Sequence, residues 1–245
     1  MKKLIIIITI VLALGACTKS KTHYQTTYHL VDQTDSNDLV DEITSHWMAE
    51  VSVPRDVYTG STAILKSISD KKHTPEKSIS LSAIDDPLSF NEFERKREID
   101  TFKSRIEKEL YTAVSQQSVG AEQSLVFHAL STTINEALKC TSDQIDIYVF
   151  SDLRNKSEEY DSYDPDDFGL LKYDQDSLTR LMDTHFAIQV VSTYTQPDIT
   201  LHFLYQPRSA QDDFVFDRLV NFLEKYYSSK GLKVTIGSSL ITATP

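Results

Sequence analysis

Cysteine is nearly missing from these 245 residues: Cys17 and Cys140 are the only two, so stability has to come from an apolar core rather than from a disulfide framework. Long apolar runs are missing as well. The one that stands out, Leu4 to Leu14, is too short to cross a bilayer as a permanent helix, and no second run follows it. Basic residues are in deficit, 25 Lys and Arg against 36 Asp and Glu, for a formal net charge of −11 at pH 7. Phosphate backbones are bound by a surplus of Lys and Arg, so the balance argues against nucleic acid as a partner. The nucleophile elbow, the phosphate loop, HExxH and paired-cysteine motifs are all absent. The histidines at positions 23, 29, 46, 73, 128, 185 and 202 fall at no metal-ligand spacing.

At the start of the chain stand a charged Met1-Lys2-Lys3, the apolar run, and the small-residue site Leu14-Gly15-Ala16-Cys17, the three parts of a secretion signal. The tetrapeptide resembles the lipobox of bacterial lipoproteins. That resemblance implies cleavage before Cys17, with residues 1–16 as signal peptide, and attachment of a diacylglyceryl group to the Cys17 thiol. Each buried acyl methylene contributes about 0.8 kcal/mol, so two or three chains anchor far more firmly than one. Without Lys2 and Lys3 the 25 basic residues become 23 against 36 acidic, a formal charge of −13. The expected location is the cell envelope, membrane-anchored. Thr18, which is not the aspartate associated with inner-membrane retention, favours the outer membrane of a Gram-negative cell. Residues 17–25 are polar and read as a lipidated tether, leaving 26–245 as one domain.

Apolar patterning predicts a strand over Thr26 to Val31 and a helix over Asn37 to Val51, with Leu39, Val40, Ile43 and Trp47 inward. Thr59 to Ile68 and Ser78 to Ile84 read as two strands whose connection is too short for a helical crossover, so one sheet edge should be antiparallel. Leu88 to Val114 reads as a long helix with Phe90, Phe93, Ile99, Phe102, Ile106 and Leu110 as its inner stripe, and Ser124 to Leu138 as another. Ile145 to Phe150 suits a buried parallel strand. Glu158 to Asp167 reads as a solvated acidic loop, since its carboxylates lack the spacing and glycine of a calcium loop. Asp174 to Phe186 is helical in pattern. Ile199 to Tyr205 is a strand, Asp212 to Ser229 a helix, and Leu232 to Ile236 a last strand after Gly231, a suitable C-cap. The alternation predicts an α/β fold of three layers: a mainly parallel, Rossmann-like sheet with one antiparallel edge strand and helices on both faces.

At the end of the first strand stands Asp32-Gln33-Thr34-Asp35-Ser36. Ser124 precedes Ala129-Leu130 by five residues at the start of a helix, and Asp152 follows the strand ending Val149-Phe150-Ser151. In this order the three resemble the metal-ion-dependent adhesion site (MIDAS) of von Willebrand factor A (vWA) domains. The resemblance implies a vWA-like fold and a Mg²⁺ ion ligated by Thr34, Ser36 and Ser124, with Asp32 and Asp152 acting partly through water. Hard oxygen donors are what Mg²⁺ takes. Two departures stand out: Ser124 replaces a threonine, and Leu153 stands where the family often has glycine. The function implied is a lipid-anchored envelope module that captures a protein partner, with no catalytic residues. The alternatives are a metal-dependent hydrolase using the same carboxylates, and a structural envelope domain whose metal site has decayed. No His, Lys or Cys near the motifs offers proton transfer, which favours binding.

Overall fold

The computed structural model describes residues 23–34, 42–69, 76–86, 90–115, 123–189, 198–205, 207 and 209–237. Cys17, Asp35, Ser36, Leu39 and Val40 lie outside the described residues.

β1 (Tyr24–Asp32) is continuously buried from Thr26 on, as a strand covered on both faces must be. It starts at Tyr24, two residues inside the expected tether. α1 (Glu42–Val51) follows, then β2 (Gly60–Ile68) and β3 (Glu76–Leu81), which pair antiparallel as the short connection requires. α2 (Glu92–Ser115) and α3 (Val126–Ala137) lead to β4 (Gln144–Phe150). α4 (Pro165–Tyr173), α5 (Gln175–His185), β5 (Asp198–Leu204), α6 (Ala210–Ser229) and β6 (Lys233–Gly237) complete the order. The sheet runs β3-β2-β1-β4-β5-β6, and every pair but β2–β3 is parallel.

Alternate residues of the central strands feed two cores. Leu30, Ile147, Val149, Leu201 and Phe203 face a cluster built with α3, α4, α5 and α6. Val31, Tyr148, Phe150 and Leu204 face a smaller one built with Met48 and Ala49 of α1 and Phe102, Ile106 and Leu110 of α2. The result is three layers, as expected. The smaller core closes over β3, β2 and β1, so on that side the sheet face of β4, β5 and β6 is only partly covered. β6, the outer strand, is largely exposed.

Three expectations are corrected. Phe93 does not join the inner stripe and is 77% exposed. The buried face of α2 runs through Arg95, Phe102, Ile106 and Leu110, and two residues at 3.6 per turn place Phe93 about 200° away from Arg95. The acidic stretch 158–167 is not merely a solvated loop: Tyr160 is fully buried, stacked on Phe127 at 5.5 Å. Its last part begins α4, where Asp164 accepts from the backbone N–H of Asp166 (2.8 Å) and Asp167 (3.3 Å) and Pro165 opens the helix. The third helix starts at Val126 rather than Ser124. Gly231 does adopt a left-handed φ of +85°, as its C-cap role requires.

Candidate functional site

β1 and β4 are neighbours at the point where the strand order reverses, and the loops leaving their C-terminal ends define a crevice there. Asp32 is the last residue of β1 and is 6% exposed. Its Oδ1 accepts from the Thr34 backbone N–H (2.9 Å) and from Thr34 Oγ1 (2.6 Å), an Asx turn that holds the loop against the strand end. Its Oδ2 accepts from Ser151 Oγ (2.7 Å), and Ser151 Oγ in turn accepts from the Leu153 N–H (3.0 Å).

Thr34 Oγ1 also lies 2.9 Å from Ser124 Oγ. Ser124 reaches this place because the segment before α3 is strapped to the β4–α4 loop: Ser124 N–H donates to the Lys156 carbonyl (3.1 Å) and Lys156 N–H to the Ser124 carbonyl (2.8 Å). Leu125 supplies no side-chain cap for α3. Asn155 does so from across the fold, its Oδ1 accepting from the Phe127 N–H at 3.0 Å. Asn155 is fully buried, and its Nδ2 donates to the Tyr160 carbonyl (2.7 Å).

Asp32, Thr34 and Ser124 are therefore brought together. Asp152 sits in the turn after β4 rather than at its end, and the residue that reaches Asp32 is Ser151. Val31 pairs with Phe150, so one step further along both strands Ser151 stands opposite Asp32. Asp152 Oδ1 accepts from the Arg154 N–H (2.9 Å), and its Oδ2 is 3.7 Å from Arg154 Nε. The same guanidinium is 3.3 Å from Asp212 Oδ1 and lies over the Tyr163 ring at 5.3 Å. Leu153, between them, has φ +63° with a fully buried side chain, a left-handed backbone that glycine would adopt at no steric cost.

Hydroxyl and carboxylate oxygens are the donors that a hard cation takes. Thr34 Oγ1 and Ser124 Oγ are 2.9 Å apart, joined by a hydrogen bond that an ion would replace. Among the described residues no cluster of three His, Cys, Asp or Glu side chains suited to a metal is found, so a metal here would depend on hydroxyl donors. Ser151, Arg154 and Asn155 were missed from sequence. The Ser151-Asp152 pair was the signal for the first; the other two act through loop geometry that no spacing reveals.

No protein-family profile matches the chain, and no curated protein sequence matches it. Solved structures share its course at low identity. The vWA domain of SpRpn10 is 12% identical with a TM-score of 0.42, over 90% of this chain and 95% of that one. A mutant of the PilB minor pilin from Streptococcus sanguinis is 8% identical with a TM-score of 0.46, over 92% of this chain and 59% of that one. The human COPII-coat protein Sec24c is 9% identical with a TM-score of 0.38, over 90% of this chain and 30% of that one. Among the described residues no helix is long and apolar enough to cross a membrane. With its strand order reversing between β1 and β4, its antiparallel third strand and its helices on both faces, this is a three-layer, Rossmann-like α/β fold, the architecture that the resemblance to vWA domains implies.

Proposed function

We propose that this chain is a lipid-anchored cell-envelope binding module of vWA type, which captures a protein partner through a MIDAS-like site and performs no catalysis. The observation that carries the reading is the convergence of Asp32, Thr34 and Ser124 in the crevice, with the two hydroxyl oxygens 2.9 Å apart. Thr34, Ser36 and Ser124 would hold Mg²⁺, with Asp32 and Asp152 supporting it, and the ion would offer an open position to a partner's carboxylate. Membrane attachment rests on Cys17: Cys17→Ser should take up no labelled fatty acid, because the thiolate is the atom alkylated.

The test of the site is thermal or urea unfolding with and without Mg²⁺. A ligand that binds only the native state adds RT ln(1 + [L]/Kd), about 2.7 kcal/mol at a hundredfold excess over Kd. Asp32→Ala or Asp152→Ala should abolish that gain; Asp32→Ala, which removes the acceptor of three hydrogen bonds, should also cost the metal-free fold about 1–3 kcal/mol. Capture of the partner from envelope extracts should fail with a chelator. Arg154 favours a second reading, a structural envelope domain without metal, because its guanidinium already faces Asp152 and Asp212. No stabilisation of the wild type at millimolar Mg²⁺ would select that second reading.

A further inference from the structure

Away from the crevice, the partly covered face of β4, β5 and β6 forms the floor of a cavity of about 620 Å³, a size suited to one small ligand or one long side chain. Trp47 of α1 and the segment Val53 to Asp56 wall it on one side. A row of paired residues runs through the sheet here: Tyr148, His202 and Thr235 on β4, β5 and β6 line the floor, and His29 on β1 is fully buried beside Tyr148. Tyr148 is stacked between His29 (5.5 Å) and His202 (4.4 Å), which cover its two ring faces, while Trp47 meets it edge-on at 5.4 Å. Tyr148 is 8% exposed and lines the cavity, yet among the described residues its hydroxyl makes no hydrogen bond. The ring is enclosed and the hydroxyl opens into the cavity, where a ligand atom can meet it.

Charge identifies the partner. Four carboxylates line the cavity, those of Glu50, Asp56, Asp143 and Asp146, against one guanidinium, that of Arg55. Lys103 pairs with Glu50 from outside the lining and His23 with Asp143, so Asp56 and Asp146 remain against Arg55. Asp146 is the most enclosed of the four. It accepts from His202 Nε2 (2.9 Å) and Gln144 Nε2 (2.8 Å), which uses two of its roughly four lone-pair sites. The whole chain, at −11, adds a field of the same sign.

We propose that this cavity binds a cationic group carried on an apolar body, an amidinium or guanidinium that donates to Asp146 and to the Tyr148 oxygen and packs its body on Trp47. The site is separate from the Asp32 crevice and stands or falls independently of it. Arg55, exposed at the rim and without an ion-pair partner among the described residues, opposes the cation and tunes its affinity.

The chain has a single tryptophan, and it lines this cavity, so fluorescence excited beyond tyrosine absorption reports the site directly. The full-length chain in detergent is titrated with benzamidinium, benzamide, benzoate and an arginine-containing tripeptide. Saturable quenching is expected with benzamidinium and not with benzamide or benzoate. Asp146→Asn should weaken it about tenfold, Glu50→Gln on the exposed side of α1 should weaken it severalfold, and Arg55→Gln should tighten it. Melting curves check that Asp146→Asn is folded, and Glu50→Gln keeps the test open where it is not. Saturation by the tripeptide points to a protein side chain as occupant; saturation by benzamidinium alone points to a small molecule. Linear, unsaturable quenching, binding of benzoate in preference, or unchanged affinity in both acid-to-amide variants overturns the proposal.

Discussion

Leu153 has the single positive φ among the described non-glycine residues, and its side chain is fully buried. A left-handed backbone costs a leucine about 1–2 kcal/mol, whereas emptying a buried leucine site costs about 2–5 kcal/mol. Leu153→Gly should therefore relieve the backbone and still lose about 1–3 kcal/mol, measured by urea unfolding; a more stable variant would mean that strain, not packing, dominates this turn. His29 makes a second residue-scale case. It is fully buried, its Nε2 2.8 Å from Ser52 Oγ and its Nδ1 without a partner, and burial pulls its pKa down from 6.5 to about 3. The unfolded chain thus binds a proton that the folded chain refuses between about pH 6.5 and 3, so stability falls as pH falls through that window. The slope is up to about 1.4 kcal/mol per pH unit. Melts between pH 6.5 and 4.5, above the ordinary carboxylate range, should show this loss in the wild type and a flatter profile in His29→Gln.

At the scale of elements, the site depends on a loop that reaches across the fold. Asn155→Ala removes the cap of α3 and one donor to the Tyr160 carbonyl, which Ser157 still serves, and should cost about 1–2 kcal/mol in thermal or urea unfolding. Gly60 opens β2 where a Cβ would stand 2.6 Å from the Tyr24 ring and 2.8 Å from the Ala83 backbone nitrogen. Gly60→Ala should accordingly lower the melting temperature, because the second of these neighbours is main chain and cannot rotate away. Central strands were legible in the sequence because burial on both faces leaves a continuous apolar run, and the β2–β3 pairing because a short link excludes a crossover. α4 was not, because Asp164, Pro165, Asp166 and Asp167 are at once a helix start and an acidic run, and composition was weighted over position. In the site, Asp32, Thr34 and Ser124 were legible as a spaced motif. The Arg154 counter-charge was not, since its meeting with Asp212 spans 58 residues and is made only by the fold.

For the molecule as a whole, Cys140 is a half-buried free thiol, so reducing agent should leave the melting temperature of the folded chain unchanged; a drop would reveal a disulfide-linked dimer. The central place of β1 has a kinetic consequence. Its partner β4 lies far downstream, with Val31 and Phe150 meeting across 119 positions of chain, and the loop between them has to close before the middle of the sheet exists. A topology dominated by such distant pairings folds slowly, and its intermediates leave strand edges open. A fragment ending before Gln144 keeps β1, β2, β3 and three of the helices, yet lacks β4, a central strand that feeds both cores. It should show no cooperative melt. A chain fed amino-end first through a narrow passage would then stay threadable until about three fifths of it had emerged, since the middle of the sheet cannot close before β4.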